Sequence, residues 1–440
     1  MKKISTLSLL WISVPSILSL SLEPIAEMID TVFAGSFHVT WVSSLAVTNT
    51  FFISLVWILS FLPIGVVSVV ASFYGRGENI LLAKKITGYL FITAIIGIVI
   101  SFILFLIEAI LFKNILGLSS NLISTLLPYW RMRILGFPFT LLVGVSMGVL
   151  RGLQKFFLSF ILSLLITSIN IIVTYIGLFI FSGGLESIAF GTVLSFAVGS
   201  FASIIYFYKK GFISFTNISL MSVLTDIVNI IKDTYSLFIR TCLLTLSFFL
   251  MTFFIGRMDE KLLAAHQITL QLWLFASFFL DGLAITANSK GAFFIASGEN
   301  ISLKIIVYKL LSLGFLCGVI ISALYAIFFD EISLLFTRDK NVHNALASLV
   351  LAVIILQPLN GLVYVFDGIL LGMKDYKFMK KIIFTGFLSL FLPCSFLSFF
   401  LFSSFQGIWF SLILMNIFRC FCSILRVKKY FTLSLINSNS

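Results

Sequence analysis

The sequence predicts an all-α integral membrane protein, with twelve transmembrane helices in two six-helix lobes related by an internal repeat. Its composition is the first observation: of 440 residues, 60% are hydrophobic and only 10% are charged. Soluble domains contain about 45–50% apolar and about 25% charged residues, so soluble enzymes, nucleases and secreted disulfide scaffolds are excluded. Apolar runs of about 20 residues, the length that spans a bilayer, and similarity between the two halves of the chain are the other observations.

Twelve apolar segments are predicted to span the membrane, and their even number places both termini on one side. The first follows Lys2 and Lys3 and resembles a signal peptide. Because no small-residue cleavage site follows and the run continues through Pro15 and Pro24, we expect a retained helix bent by proline. The predicted segments are residues 7–35, 44–72, 84–112, 122–150, 157–181, 186–208, 232–256, 262–296, 303–328, 344–371, 378–402 and 404–425.

The net charge of +12 would suggest a nucleic-acid partner in a soluble protein. In a membrane protein, basic residues instead mark the cytoplasmic loops. Most Lys and Arg residues lie in loops on the side of the N-terminus, and few lie on the opposite side, where Arg131 and Arg133 are expected near a helix start. Both termini are therefore predicted to be cytoplasmic.

The two halves of the chain align at an offset of 220 or 221 residues. Pro138 aligns with Pro358, and residues 148–152 align with 368–372. The repeat implies two bundles related by an axis along the membrane normal, an arrangement that suits a transporter with a cavity opening alternately to each side. The predicted domains are an N-lobe (1–208), a cytoplasmic connector (209–231), a C-lobe (232–425) and a cytoplasmic tail (426–440).

The first segment contains three carboxylates, Glu23, Glu27 and Asp30. An ionisable group at membrane depth costs about 2.5–3.5 kcal/mol, and the i, i+4, i+7 spacing places all three on one helix face. They cannot all ionise in a low dielectric without a cation. The stripe therefore holds protons, binds a cation or opens on water, or Glu23 and Glu27 are simply solvated near the helix end. Pro24 would let protonation of Asp30 couple to a bend.

The second half contains an arginine, Arg240, in a long apolar run. A buried guanidinium requires a partner, and Asp281 and Asp367 are the candidates. Structural pairing and a role in coupling both remain open for these groups. His266, which precedes Gln267, is interpreted either as a neutral histidine in a helix contact or as a proton shuttle.

Motifs of enzymes and cofactor sites are absent from the sequence. It contains no G-x-x-x-x-G-K-[ST], no H-E-x-x-H and no G-x-S-x-G, so we expect neither an enzyme nor a transporter driven by ATP through its own P-loop. No disulfide framework or metal-site spacing is present, and we expect no cofactor. The cysteines are Cys242, Cys317, Cys394, Cys420 and Cys422.

Several motifs resemble those of the multidrug and toxic compound extrusion (MATE) transporters, and the resemblance spans all twelve helices. The first-helix motif is Pro15-x-Ile17-Leu18-Ser19, Pro24 and Ile29-Asp30-Thr31-x-x-x-Gly35. The segment Ala264-Ala265-His266-Gln267-Ile268 with Asp281-Gly282-Leu283-Ala284 is more similar to the DinF-type branch. Gly148-x-Leu150-Arg151-Gly152 and Asp367-Gly368-x-Leu370-x-Gly372 continue the match in the two halves.

The resemblance implies a bacterial inner-membrane antiporter in which protons or sodium enter as organic, often cationic, compounds leave. It places the first coupling acid at Asp30, a second at Asp367 and a branch-typical acid at Asp281. The chain departs from the family where Asn170 is followed four residues later by Thr174, because many relatives have aspartate there. Glu27, one turn from Asp30, is the candidate to substitute for it.

The sequence is therefore interpreted as an ion-coupled efflux antiporter for cationic or amphipathic compounds. Its expected partners are a small-molecule substrate and the lipid bilayer, with no nucleic acid, and the protein is expected to be a monomer. The alternative is a flippase for lipids or lipid-linked oligosaccharides. A flippase for anionic headgroups should have a basic cavity, whereas the ionisable residues predicted inside the membrane are mostly acidic, with Arg240 as the exception. The residues proposed for coupling are Asp30, Glu27, Asp281 and Asp367, and those for the substrate or its network are Arg240, His266, Gln267, Asn170 and Thr174.

Overall fold

The computed structural model describes residues 6–115, 119–214, 220–336 and 339–438. Within these ranges the chain is helical, and twelve helical spans are long and apolar enough to cross a membrane. The predicted fold class is thereby confirmed. The helices are α1 (Thr6–Gly35), α2 (Val39–Leu59), α3 (Phe61–Arg76), α4 (Asn79–Ala109), α5 (Ser120–Gly152), α6 (Phe156–Tyr175), α7 (Glu186–Lys209), α8 (Leu220–Gly256), α9 (Glu260–Ala296), α10 (Asn300–Ile327), α11 (Phe329–Phe336), α12 (Lys340–Gly372), α13 (Tyr376–Gly386), α14 (Leu392–Phe400) and α15 (Phe405–Ser438).

The outer surfaces of these helices are apolar, as a bilayer requires. In α4, for example, Phe102, Phe105 and Leu106 are each exposed by half or more. A helix in water would place charged side chains there, but in lipid only the backbone must satisfy its own hydrogen bonds. Two of the spans contain two α-helices each. The second span consists of α2 and α3, and the eleventh consists of α13 and α14, which are joined by a π-helical turn at Phe387–Phe391.

The chain forms two compact units. One contains Leu18–Ile231, and the other contains Met1–Ile17 together with Lys232–Ser440. The boundary near the middle of the chain lies beside the predicted connector, whereas the first half of α1 groups with the C-terminal unit. The lobe boundaries of 1–208 and 232–425 stay a prediction. Below, Leu18–Ile231 is called the N unit and the remainder the C unit.

Equivalent glycine–proline contacts occur at equivalent places in the two units. A Cβ atom on Gly97 would lie 2.6 Å from the Cα of Pro138, and a Cβ on Gly318 would lie 2.6 Å from the Cα of Pro358. In each unit a helix therefore approaches the proline-containing helix so closely that only glycine fits. The offset between these pairs is the one read from the sequence, so the repeat extends to helix packing.

The turns after equivalent helices also repeat. Gly77 ends α3 with a φ of 73°, and Gly298 ends α9 with a φ of 75°. Gln154 after α5 and Lys374 after α12 have φ values of 63° and 57°, in a region that non-glycine residues rarely occupy. Both halves thus use the same left-handed turns to reverse the chain.

Two helices extend beyond the predicted spans. Helix α8 begins at Leu220, inside the predicted connector, and α15 continues to Ser438, through most of the predicted tail. Charged residues lower the hydropathy of both segments, but apolar residues recur at helical spacing, so the helix persists where the apolar run ends. The connector residues 215–219 and the basic residues Lys2, Lys3 and Arg338 lie outside the described residues.

The N-terminus of α12 offers a test of pH-dependent stability. Asp339 Oδ1 accepts hydrogen bonds from the backbone N–H groups of Asn341 at 2.7 Å and Val342 at 3.4 Å, and these bonds lower the pKa of Asp339. Because the folded pKa is below the unfolded one, the charge stabilises the protein above the unfolded pKa of about 3.9, and this effect is lost as the pH falls through the folded pKa. We expect wild type to melt at a slightly higher temperature than Asp339→Asn at neutral pH, and the difference to vanish as the pH falls through the folded pKa of Asp339. Thermal unfolding in detergent measures this, and a difference independent of pH would contradict it.

Candidate functional site

The acidic face of α1 becomes progressively more buried along the helix. Glu23 is exposed, Glu27 is half-buried, and only 6% of Asp30 is accessible. Helix α1 is continuous from Thr6 to Gly35 through Pro15 and Pro24. The structure thus places the three carboxylates on consecutive turns, as predicted, with Asp30 deepest.

Asp30 lies next to α6, where the predicted partners Asn170 and Thr174 are one turn apart. The Asn170 side chain interacts with Asp30, and its Nδ2 donates to Thr192 Oγ1 of α7 at 3.1 Å. A Cβ on Gly191 would lie 2.3 Å from Thr174 Oγ1, so α6 and α7 are in close contact at this level. Asp30 and Asn170 are therefore buried neighbours, and Thr174 is buried one helical turn from Asn170 on α6.

Arg133, which sequence reasoning assigned to a helix start on the outer side, belongs to this site. Helix α5 begins at Ser120, so Arg133 lies well inside it. Its guanidinium interacts through space with Glu23, Glu27 and Asp30 and lies 5.2 Å from the ring centroid of Phe52. Three carboxylates and one guanidinium leave the site with a formal excess of negative charge.

Arg131, which was predicted at the same helix start, lies in the first half of α5 (Ser120–Gly152), and its side chain is half-exposed. Arg131 Nε donates to Glu108 Oε1 of α4 at 3.0 Å. The aliphatic part of an arginine can lie along an apolar surface while its head reaches a polar partner, which explains how the residue is accommodated within a membrane helix. This ion pair connects α4 to α5 and is separate from the acidic face of α1.

Tyr129 contributes a second group that sequence reasoning missed. It is one turn before Arg133, only 1% exposed, and its hydroxyl donates to Asn49 Oδ1 of α2 at 3.1 Å. It interacts electrostatically with Asp30 and Glu27. The only signal in the sequence was its helical spacing from Arg133.

Several buried oxygen atoms in this site have no hydrogen-bond partner among the described residues. They are Asp30 Oδ1, Asn170 Oδ1 and Thr174 Oγ1. A buried acceptor without a donor is costly, and oxygen ligands of this kind suit hard cations. The residues present fit a single monovalent cation or a proton on Asp30. No cluster of three or more His, Cys, Asp or Glu suited to a metal ion occurs among the residues that the structure describes.

In the C unit, Asp367 of α12 is the partner of Arg240. Arg240 Nη2 of α8 and Arg419 Nη2 of α15 both donate to Asp367 Oδ2, the latter at 2.7 Å. Of the two predicted partners of Arg240, Asp367 is the one that makes this contact. Arg419 was missed, although an arginine inside the apolar segment 404–425 was the available signal.

A chain of buried side chains continues from Arg419. Its Nη1 donates to Asn416 Oδ1 at 2.7 Å, and Asn416 Nδ2 donates to Asn360 Oδ1 at 3.3 Å. Asn360 Nδ2 then donates to Gln357 Oε1 at 3.4 Å. These amides orient the guanidinium of Arg419 toward Asp367.

The other predicted residues of the C unit lie on α9. His266 is fully buried, with Nε2 3.0 Å from Thr252 Oγ1 and its ring against Trp409. These contacts favour the interpretation of His266 as a histidine in a contact between helices. Gln267 is exposed and Asp281 is half-buried. Asp281 interacts electrostatically with Tyr364 of α12. The structure therefore groups Asp367 with Arg240, and places His266 in a separate aromatic contact.

Comparisons with known proteins match the chain in both halves. The MatE family model matches residues 15–176 and 237–397, so the family pattern occurs twice, as the internal repeat requires. Among curated relatives, Protein DETOXIFICATION 44, chloroplastic, from Arabidopsis thaliana is 26% identical over 402 residues, which cover 86% of this chain and 74% of the relative. Multidrug export protein MepA from Staphylococcus aureus (strain bovine RF122 / ET3-1) is 23% identical over 257 residues, which cover 58% of this chain and 57% of the relative.

The fold is also similar to solved structures. The Vibrio cholerae MATE transporter VcmN in the bent form superposes with a TM-score of 0.88, and the match covers 98% of each chain at 17% identity. At this identity the likeness shows the fold alone.

Proposed function

Because the chain belongs to the MatE family of multi-pass membrane transporters, we propose that it is a secondary active antiporter. It exports small organic compounds, cationic or amphipathic, in exchange for protons or sodium by alternating access. The relatives support export as the direction, since one of them is named for multidrug export. Family and fold are those of transporters and not of enzymes.

The observation that carries this proposal is the set of unsatisfied oxygens around Asp30. Three buried oxygen atoms, Asp30 Oδ1, Asn170 Oδ1 and Thr174 Oγ1, have no hydrogen-bond partner among the described residues. A cation, or a proton on Asp30, would satisfy these atoms. Occupancy of the site changes the charge of a buried group and so favours one conformation over another. Asp30 is the proposed coupling acid, with Asn170 and Thr174 as further ligands.

Glu27 is proposed to replace the aspartate that many relatives have at the position of Thr174. Its carboxylate is one turn from Asp30, and the two groups interact electrostatically. We keep Asp281 and Asp367 as proposed coupling acids of the C unit, but the two guanidinium contacts of Asp367 favour an ion-pair role for that residue.

The proposed setting is a bacterial inner membrane with both termini in the cytoplasm, as the loop charges favour. We propose that the protein acts as a monomer and needs no cofactor or nucleic acid. The motif around His266 and Asp281 supports placement in the DinF-type branch.

Transport by purified protein in proteoliposomes tests the proposal. Accumulation of a panel of fluorescent dyes would be followed under a proton gradient alone and under a sodium gradient alone, with protein-free vesicles as the control. We expect at least one gradient to drive dye movement against its concentration gradient. If neither gradient has an effect, the antiport proposal fails.

The predicted partnership of Glu27 with Asp30 is tested by a double-mutant cycle. If both carboxylates serve one site, the effects of Glu27→Gln and Asp30→Asn on ion affinity should be non-additive by about 0.5–3 kcal/mol. The quantity measured is the midpoint of the ion-dependent thermal stabilisation of the purified variants, which does not require transport. Additive effects would show that the carboxylates act independently.

A further inference from the structure

Two arginines in the C unit share one carboxylate. Arg240 and Arg419 both contact Asp367 Oδ2. With two guanidinium groups and one carboxylate, this cluster of three residues has a formal net charge of about +1. The side chains of Arg240, Arg419 and Asp367 are 15%, 7% and 11% exposed. A buried guanidinium without its own anion is costly, which suggests that something else completes the cluster.

The hydrogen-bonding capacity of the two guanidinium groups is only partly used. Each guanidinium has five N–H donors. Among the described residues, Arg240 makes the one bond to Asp367, and Arg419 bonds to Asp367 and Asn416. The Nε atoms of both arginines are buried and have no described partner. The unsatisfied atoms at this cluster are therefore donors.

Asp281, which is half-buried on α9, acts on a different group from Asp367. The groups that act electrostatically on Arg419 are Asp367, Arg240 and Tyr364, and Asp281 acts instead on Tyr364. In the N unit the situation is reversed, because the unsatisfied atoms around Asp30 are oxygens. One unit thus offers acceptors for a cation, and the other offers donors for an anion.

We propose that Arg240 and Arg419 bind an oxyanionic group, a carboxylate or a phosphate, on the compound that the protein exports. Guanidinium groups bind such anions through paired N–H donors, and these bonds are among the strongest in proteins. The inference rests on the proposed export function and narrows its substrate class: amphipathic compounds with an anionic group, rather than simple cations. Asp367 holds the two guanidinium groups in position and competes with the ligand for them.

The test compares two dyes that differ in one charge, a rhodamine with a free carboxylate and the methyl ester of the same rhodamine. Binding to purified protein in phosphatidylcholine nanodiscs would be measured by fluorescence anisotropy without any ion gradient. We expect Arg240→Gln and Arg419→Gln each to raise the Kd of the carboxylated dye about tenfold and to leave that of the ester unchanged. Equal effects on both dyes, or none, would overturn the proposal.

Asp367→Asn is a second variant that tests the proposal even if the two arginine variants fail to fold. It removes the internal anion and leaves both guanidinium groups for the ligand, so the carboxylated dye should bind about tenfold more tightly and should raise the melting temperature of this variant more than that of wild type. A purely structural role for the cluster predicts weaker binding, and that result would contradict the proposal.

A second arm identifies the source of the oxyanion. If phosphatidylglycerol added to the nanodiscs displaces the carboxylated dye, the group recognised is a lipid headgroup phosphate; if it does not, it belongs to a small molecule. Both results retain the arginine site. Because binding is measured without gradients, a failure of ion-driven transport would overturn the antiport proposal alone, and loss of carboxylate discrimination would overturn this inference alone.

Discussion

Asp30→Asn should reduce ion-driven export to the level of protein-free vesicles while the protein still folds. Asparagine has the shape of aspartate but neither its charge nor its titrating proton, so the site around Asn170 and Thr174 loses the group that changes charge. An ion that binds both conformations equally cannot shift their balance. We expect the initial rate of gradient-driven dye export to fall by at least about tenfold, to the rate of protein-free vesicles.

The measurement is dye export from proteoliposomes under the gradient that drives wild type, with thermal unfolding to confirm folding. Glu186→Gln is the matched control, because Glu186 is an exposed carboxylate at the start of α7 and its neutralisation should leave export unchanged. Retained gradient-driven export in Asp30→Asn would show that coupling passes through other residues.

Gly361→Ala should be the most damaging small substitution for stability. A Cβ atom on Gly361 of α12 would lie 2.0 Å from the carbonyl oxygen of Gly314 on α10, and a backbone atom cannot rotate away. The two helices would have to separate, which disrupts packing along their length. Overpacking typically costs about 1–3 kcal/mol, and we expect this contact to reach or exceed the upper end of that range.

The yield of monodisperse protein in detergent and its thermal unfolding measure this effect. Gly144→Ala in α5 is the matched control, because a Cβ atom at Gly144 would have no neighbour within 4 Å and alanine favours helix more than glycine does. If Gly361→Ala and Gly144→Ala proved equally stable, the close approach of α10 and α12 would be contradicted.

The fold was predictable because the bilayer imposes a simple rule on composition. Spans need continuous apolar residues, and the twelve predicted segments agree with the observed spans to within a few residues at most ends. Helices α8 and α15 continue beyond the predicted spans, because hydropathy measures how well side chains are solvated and does not report helical hydrogen bonding. A helix that leaves the membrane keeps its backbone bonds while its side chains become polar.

The candidate site was only partly predictable. Asp30 and its helical spacing from Glu27 follow from one segment, and Asn170 and Thr174 came from a family resemblance. Arg133 and Arg419 were missed because their roles depend on which helices pack together, and the sequence of one helix does not state what its neighbour presents. For the same reason, the sequence could not show that Asp367 contacts Arg240.

Three helices of the C unit meet at a single atom. Arg240 on α8 and Arg419 on α15 both bind Oδ2 of Asp367 on α12, although the two arginines lie far apart in the sequence. A movement of α12 that withdraws this oxygen would break both links together. A displacement of Asp367 is therefore transmitted to α8 and α15 at the same time, although neither helix needs to contact the other for this.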